Sequence, residues 1–417
     1  MSQMLLDTYE KHGNLLMDFK NELQQITDHT LVEKVKAEDI TLLSISNRFY
    51  DSASYHADYF AATQHSYDGE DVQSSTGTLF SSELKGATEP LLQELEYKTN
   101  LLCHIKSKKE FWLTSEMMLP TLAIRTGLGS AISARSKERD AFLAKILGDM
   151  GNKTLQCVIR QKNGVKKVFA VMSDKYTYIP QTVLFDIIRA IISEGKMGKV
   201  QCLGWSIDHT GTKINLAFPE YAEEISKLYK IDVPFIPGIQ LIISDIAESS
   251  LIVRGVWYRK GAANWYISLV QSEIYKKHMG EFDLGKIMEQ INKSVFDQYR
   301  TMPEALCRLM KITVTTPVKS QKENHEALEA FIKKVFKEIK ITAAIGKKRE
   351  IVMREMLLSE IDETLPHTAY DLIMSITSLP ERLESKDKAA ILRLSKACRD
   401  AVYCNFAEKE EEILISA

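Results

Sequence analysis

A chain of 417 residues, 45% apolar and 26% charged with a formal net charge of −2, has ordinary globular composition and the length for two or three domains around a real core. That excludes a wholly disordered or fibrous polypeptide. No apolar run approaches the roughly 20 residues of a membrane span, and the opening MSQMLLDTYEKHGNLL reaches acidic Asp7 without the basic flank of an export signal, so a cytoplasmic protein with no membrane association is expected.

In chain order, residues 1–38 read as helical, with Leu5, Leu6, Tyr9, Leu15, Leu16, Phe19, Leu23 and Ile26 near a 3.6-residue period. Residues 51–78 are polar, acidic and turn-rich and read as an exposed loop, and helices are expected over 79–106 and 114–148, the second interrupted by Pro120 and Gly127/Gly129. The pattern then becomes strand-like. TLQCVIR and KKVFAVM flank Asn163-Gly164, the strongest short hairpin signal because both residues tolerate positive φ. A helix is expected over 181–194, followed by VQCLGWSI and KINLAFP around Asp208–Gly211, then IQLIIS and LIVRGVWYR around Asp245–Ser249. Three hairpins with packed helices predict an α+β fold on an antiparallel central sheet. Beyond Asp283 the chain reads as helical again, with HEALEAFIKKVFKEIKI amphipathic and further helices over 347–361, 367–377 and 386–406. The expected organisation is an acidic helical region over 1–110, a central α+β domain over 111–285 and a helical C-terminal domain over 286–417.

Catalytic and cofactor patterns are missing. Gly127-Leu128-Gly129-Ser130 lacks the preceding strand and G-K-[ST] of a phosphate loop, and neither G-x-S-x-G nor H-E-x-x-H occurs. Asp208-His209 falls in a hairpin turn and reads as turn chemistry. Asp68, Glu70 and Asp71 lack the later glutamate of a calcium loop. The cysteines at 103, 157, 202, 307, 398 and 404 form no close pairs and read as reduced core residues rather than metal ligands. No cofactor and no metal is expected.

Charge is unevenly distributed. Residues 1–100 hold 7 Lys and Arg against 17 Asp and Glu, whereas residues 101–175 hold 14 against 6. This means either internal neutralisation or a basic surface kept for an anionic partner. Basic and aromatic residues interleave in the hairpins: Arg160, Lys162, Lys166, Lys167, Lys175, Tyr176 and Tyr178 in and after the first, and Arg254, Tyr258, Arg259, Lys260 and Trp265 in the third. Lys276, Lys277 and His278 follow. Cations neutralise phosphates and aromatic faces stack on unpaired bases, so this set is the candidate surface for single-stranded nucleic acid. The alternative is ordinary sheet packing with a solvated rim.

The central residues resemble the phage/plasmid-like proteins, a family of unknown function from phages, plasmids and prophages. The resemblance rests on FWLTSEMMLPTLAIRTGLG, LQCVIRQKNGVKKVFAVM and the turn Ser173-Asp174-Lys175-Tyr176, and continues at Ser244-Asp245-Ile246-Ala247, Asn264 and Lys277-His278-Met279-Gly280, over about 110 to 285. Ala247 and Ala262-Ala263-Asn264-Trp265 depart from the family pattern, and the acidic head and helical tail lie outside it. A mobile-element setting implies DNA transactions, and the architecture is similar to that of phage single-strand annealing proteins. The expected function is single-stranded DNA binding by a homo-oligomer that promotes annealing or recombination. The rivals are a protein-interaction or assembly module and an enzyme with an unrecognised site.

Overall fold

The computed structural model describes residues 3–50, 55–61, 75–80, 83–84, 86–127, 137–230, 235–246, 249–260, 262–382 and 388–404. The fold is α+β, built on two large sheets rather than one. The N-terminal segment is not continuous helix. It forms β1 (Glu10–Gly13), α1 (Leu16–His29) and β2 (Thr30–Lys36). Helical periodicity ends at Thr30, where TLVEKVK finds a partner strand far along the chain.

The acidic region also differs from expectation. It contributes β3 (Ile40–Tyr50), β4 (Tyr55–Ala61) and β5 (Ser75–Phe80), while residues 51–54 and 62–74, including Asp68, Glu70 and Asp71, lie outside the described residues. The helix expected over 79–106 is α2 (Glu89–Lys98) followed by β6 (Leu101–Ile105), and β7 (Glu110–Thr114) precedes α3 (Met118–Thr126) and α4 (Lys137–Met150). Gly127 ends α3 with φ 77°, a left-handed value glycine takes without a side-chain penalty. Residues 128–136 lie outside the described residues.

The first hairpin is as the sequence predicts: β8 (Thr154–Lys162) and β9 (Val165–Ser173) pair antiparallel, with Asn163 at φ 52° and Gly164 at φ 81°. These strands complete an eight-stranded sheet of order β2-β8-β9-β7-β6-β3-β4-β5, in which β7 and β9 run parallel and the other pairs antiparallel. Strands before and after residue 110 thus share one sheet.

After α5 (Val183–Glu194), the second hairpin is β10 (Gln201–Asp208) and β11 (Thr212–Ala217). Then come α6 (Pro219–Tyr229), the third hairpin of β12 (Phe235–Ile243) and β13 (Leu251–Arg259), and the long strand β14 (Ala262–Lys276). They form a six-stranded antiparallel sheet, β1-β10-β11-β12-β13-β14, so the three hairpins divide between two sheets.

The C-terminal region is helical apart from the short pair β15 (Thr313–Thr315) and β16 (His367–Thr368). Its helices are α7 (Leu284–Ser294), α8 (Thr301–Leu309), α9 (Gln321–Glu338), α10 (Ile341–Ile345), α11 (Lys347–Glu360), α12 (Ala369–Thr377), α13 (Leu379–Arg382) and α14 (Lys388–Tyr403). Ser320 and Glu323 form a capping box on α9, as do Thr368 and Asp371 on α12. One apolar core runs from Leu5 and Phe19 through Leu184, Leu241 and Trp257 to Ile373 and Val402, so the tail packs into the same core as the smaller sheet. A second core, with Leu122, Leu143, Cys157 and Val171, lies between α3, α4 and the larger sheet. No helix of the described residues is long and apolar enough to cross a membrane.

Candidate nucleic-acid interface

Two of the four basic residues of the first hairpin point inward. Arg160 and Lys167 face each other across β8 and β9, on the side that carries Val158 and Phe169, and both are buried. The Arg160 Nη2 atom lies 3.3 Å from Asp245 Oδ1 and donates to the His209 carbonyl, and its guanidinium sits over the Phe169 ring at 4.3 Å. Lys167 Nζ lies 2.9 Å from Asp7 Oδ1 and 2.7 Å from Glu94 Oε2. Asp7 Oδ2 in turn accepts the Glu116 backbone N–H at 2.8 Å. Lys166, on the other face, bridges Glu33 at 2.7 Å and Glu110 at 2.8 Å. Burial opposes the Glu33 charge, but Lys108 and Lys166 outweigh it and hold this carboxyl below the ordinary glutamate range. Arg160, Lys166 and Lys167 are therefore structural ion-pair members, which corrects their expected place on an open nucleic-acid surface. An unpaired buried charge is costly, and Lys167 finds its partners, Asp7 and Glu94, in the acidic head while Arg160 finds Asp245. Lys162, at the tip, stays half-exposed.

Most of the expected stacking rings are interior too. Tyr258 is buried over Gly238, where a Cβ would stand 2.4 Å from the tyrosine ring. Tyr176 is buried and its hydroxyl donates to the Asp245 carbonyl at 2.6 Å. Tyr178 packs half-buried against the same small cluster. Burial drives the phenols of Tyr176 and Tyr178 far above their ordinary range, so both stay neutral. Tyr176 and Tyr258 cannot stack on a base without leaving the core.

What the structure does bring together are the separated segments 173–176, 244–246 and 277–280. The Tyr176 ring stacks on His278 with centroids 5.2 Å apart. The Thr177 N–H donates to the His278 carbonyl at 2.9 Å, and His278 Nδ1 lies 3.2 Å from the Thr177 carbonyl. Gln156 donates to the carbonyls of Asp174 and Tyr176. His278 is buried, and burial lowers its pKa below the ordinary imidazole value. Two loops at the ends of β9 and β14 are thus clasped around one stacked pair, with Asp245 and Arg160 beneath it. Ala247 lies outside the described residues.

The clasp leaves a basic rim outside. Lys175 and Lys277 are both exposed and make no ion pair among the described residues; Lys276 is half-exposed and donates to the Met279 carbonyl at 3.0 Å. Tyr275 and Met279 stand beside them, 57% and 56% exposed. Sequence reading missed Tyr275. The available signal was alternation, since Ile274 turns into the core while Tyr275 turns out, but β14 itself was not anticipated.

Arg254 takes yet another role. Its Nε lies 2.5 Å from Glu273 Oε1, and its Nη1 donates to Gln240 Oε1 at 3.2 Å. Gln240 donates to Asn215 at 2.9 Å, and the Tyr275 hydroxyl donates to Glu273 Oε2. Side chains of β11, β12, β13 and β14 form one polar ladder ending at Tyr275. Arg259 and Lys260 sit at the opposite end of β13, where Lys260 lines a cleft with Glu223 and Lys227 of α6. At about 3.3 Å per residue, that strand separates them from the rim by roughly 25 Å. The side chain of Trp265 lies outside the described residues. The fifteen expected positions therefore do not form one surface.

Other chemistry is sparse. Asp208 Oδ1 accepts from Thr210 N, Thr210 Oγ1 and Gly211 N, the turn chemistry read from the sequence. The six cysteines are free, and no group of three or more His, Cys, Asp or Glu among the described residues could hold a metal ion. No protein-family model, curated protein or solved structure matches the chain.

Proposed function

We propose that this protein binds single-stranded nucleic acid, DNA in the first instance, at the rim formed by Lys175, Lys276 and Lys277. The observation that carries this reading is the pair Lys175 and Lys277: two exposed cations on loops held together by the Thr177–His278 hydrogen bonds. Elsewhere in the first hairpin Lys166 and Lys167 are matched by carboxylates, whereas Lys175 and Lys277 face solvent with no ion pair among the described residues, as a phosphate contact requires. The resemblance to phage/plasmid-like proteins favours DNA as the polymer and annealing or recombination as the context.

Anisotropy of a labelled oligonucleotide across a salt series tests the reading. Binding should weaken log-linearly with salt, and an unpaired strand should bind more tightly than its duplex. No binding at low salt would contradict it.

The same reading takes the protein as a homo-oligomer in which several rims follow one strand. Strands β2 and β5 of the larger sheet and β1 and β14 of the smaller, each with one pairing neighbour among the described residues, are the edges where copies would join.

A further inference from the structure

We infer that Tyr275 is the side chain that stacks on an unpaired base, and that the Gln240–Arg254–Glu273 ladder holds its ring ready. This rests on the nucleic-acid reading above and adds the residue that would tell single strands from duplex. Three observations carry it.

Tyr275 is an exposed aromatic side chain, 57% accessible, two residues from Lys277 on a strand whose neighbouring Ile274 faces the core. Positions 273 and 275 therefore share a direction by strand alternation, and Lys277 follows directly after Lys276, the last residue of the strand. A base stacked on the ring would have its phosphates beside Lys277 and Lys175.

The ring is also tethered. Its hydroxyl donates to Glu273, which pairs with Arg254, which binds Gln240, which binds Asn215. A solvent-exposed tyrosine ordinarily samples several rotamers. One anchored at its far end loses less freedom on binding, which raises affinity without adding contacts. Burial opposes the Glu273 charge, but the Tyr275 hydroxyl and Arg254 prevail and keep that carboxyl ionised below the ordinary glutamate range. The anchor thus stays an acceptor throughout the neutral range.

Finally, two of the rings expected to stack are engaged elsewhere. Tyr176 is packed on His278, and Tyr258 is buried over Gly238. Arg254, which the sequence presents as a phosphate contact, becomes a positioning residue.

The experiment uses the full chain and an oligonucleotide carrying 2-aminopurine, whose fluorescence is quenched by stacking. With wild type, binding should change this fluorescence. Tyr275→Ala should abolish the change and weaken single-strand affinity by about 10- to 100-fold, with the salt slope and duplex affinity unaltered. Tyr275→Trp should restore both signal and affinity. Glu273→Gln should give an intermediate fluorescence change at an unaltered salt slope, because the ring remains but is less firmly held. If wild type binds and Tyr275→Ala retains its affinity and fluorescence change, the stacking assignment is overturned while the lysine rim stands. If wild type does not bind, the nucleic-acid reading itself falls. If Tyr275→Ala loses affinity for single strand and duplex alike, Tyr275 shapes the rim without stacking, which also overturns the assignment.

Discussion

Lys166 and Lys167 are adjacent and chemically identical, yet one bridges two part-exposed glutamates while the other is 2% exposed between Asp7 and Glu94. Removing one partner from a buried charge cluster leaves the others unpaired, at about 3–5 kcal/mol. Lys167→Ala is therefore expected to lower stability to chemical denaturation by that order. Lys162→Ala, at the hairpin tip, should fall within about 0.5 kcal/mol. Equal, small effects would contradict the placement. This difference was not legible in the sequence. The basic and aromatic composition was visible, but which cation is buried depends on where Asp7 and Glu94 arrive, and those partners come from distant segments. Tyr275 was illegible for a related reason: inward and outward positions of a strand have meaning only once the strand and its register are known.

Among the elements, hairpins with local signals were readable and strands with distant partners were not. Asn163-Gly164 announces its turn because positive φ at two successive positions demands those residues. β2 lies next to α1 in sequence but pairs with β8, and β4 and β5 are bordered by polar residues that read as loop. The helices over 369–377 and 388–403 fall close to their expected spans because amphipathic periodicity is local. The clasp between the loops after β9 and β14 depends on a buried, neutral His278. The unfolded chain protonates that imidazole near its ordinary value of about 6.5, whereas the folded chain does so only at lower pH. Below that value the unfolded state binds more protons, so stability falls as pH drops. His278→Gln lacks this contribution. The stability gap between wild type and His278→Gln, followed by thermal unfolding, should therefore narrow as pH falls through the ordinary imidazole range. A gap that stays constant or widens would show that burial does not hold this side chain neutral.

For the whole molecule, the acidic head and the basic segment neutralise each other within one chain, through Lys167 with Asp7 and Glu94 and through Lys108 and Lys166 with Glu33. Of the two readings of the charge asymmetry, internal neutralisation accounts for these pairs, and the proposed self-association would rest on open sheet edges instead. Edge pairing is hydrogen-bonded and only weakly screened, so the oligomer mass from light scattering should persist from low to moderate salt. A mass of 47.4 kDa at every concentration would contradict assembly. The central claim is narrower: the rim at Lys175 and Lys277 is where a nucleic-acid strand lies. The most direct measurement is the salt dependence of single-strand affinity in a Lys175→Ala/Lys277→Ala variant, compared with a Lys322→Ala/Lys348→Ala control on the exposed faces of α9 and α11. Losing two phosphate contacts should reduce the log–log slope by about 1.4, at about 0.7 per contact, with the control unchanged and both proteins folded. Equal slopes in the rim variant and the control would contradict the account.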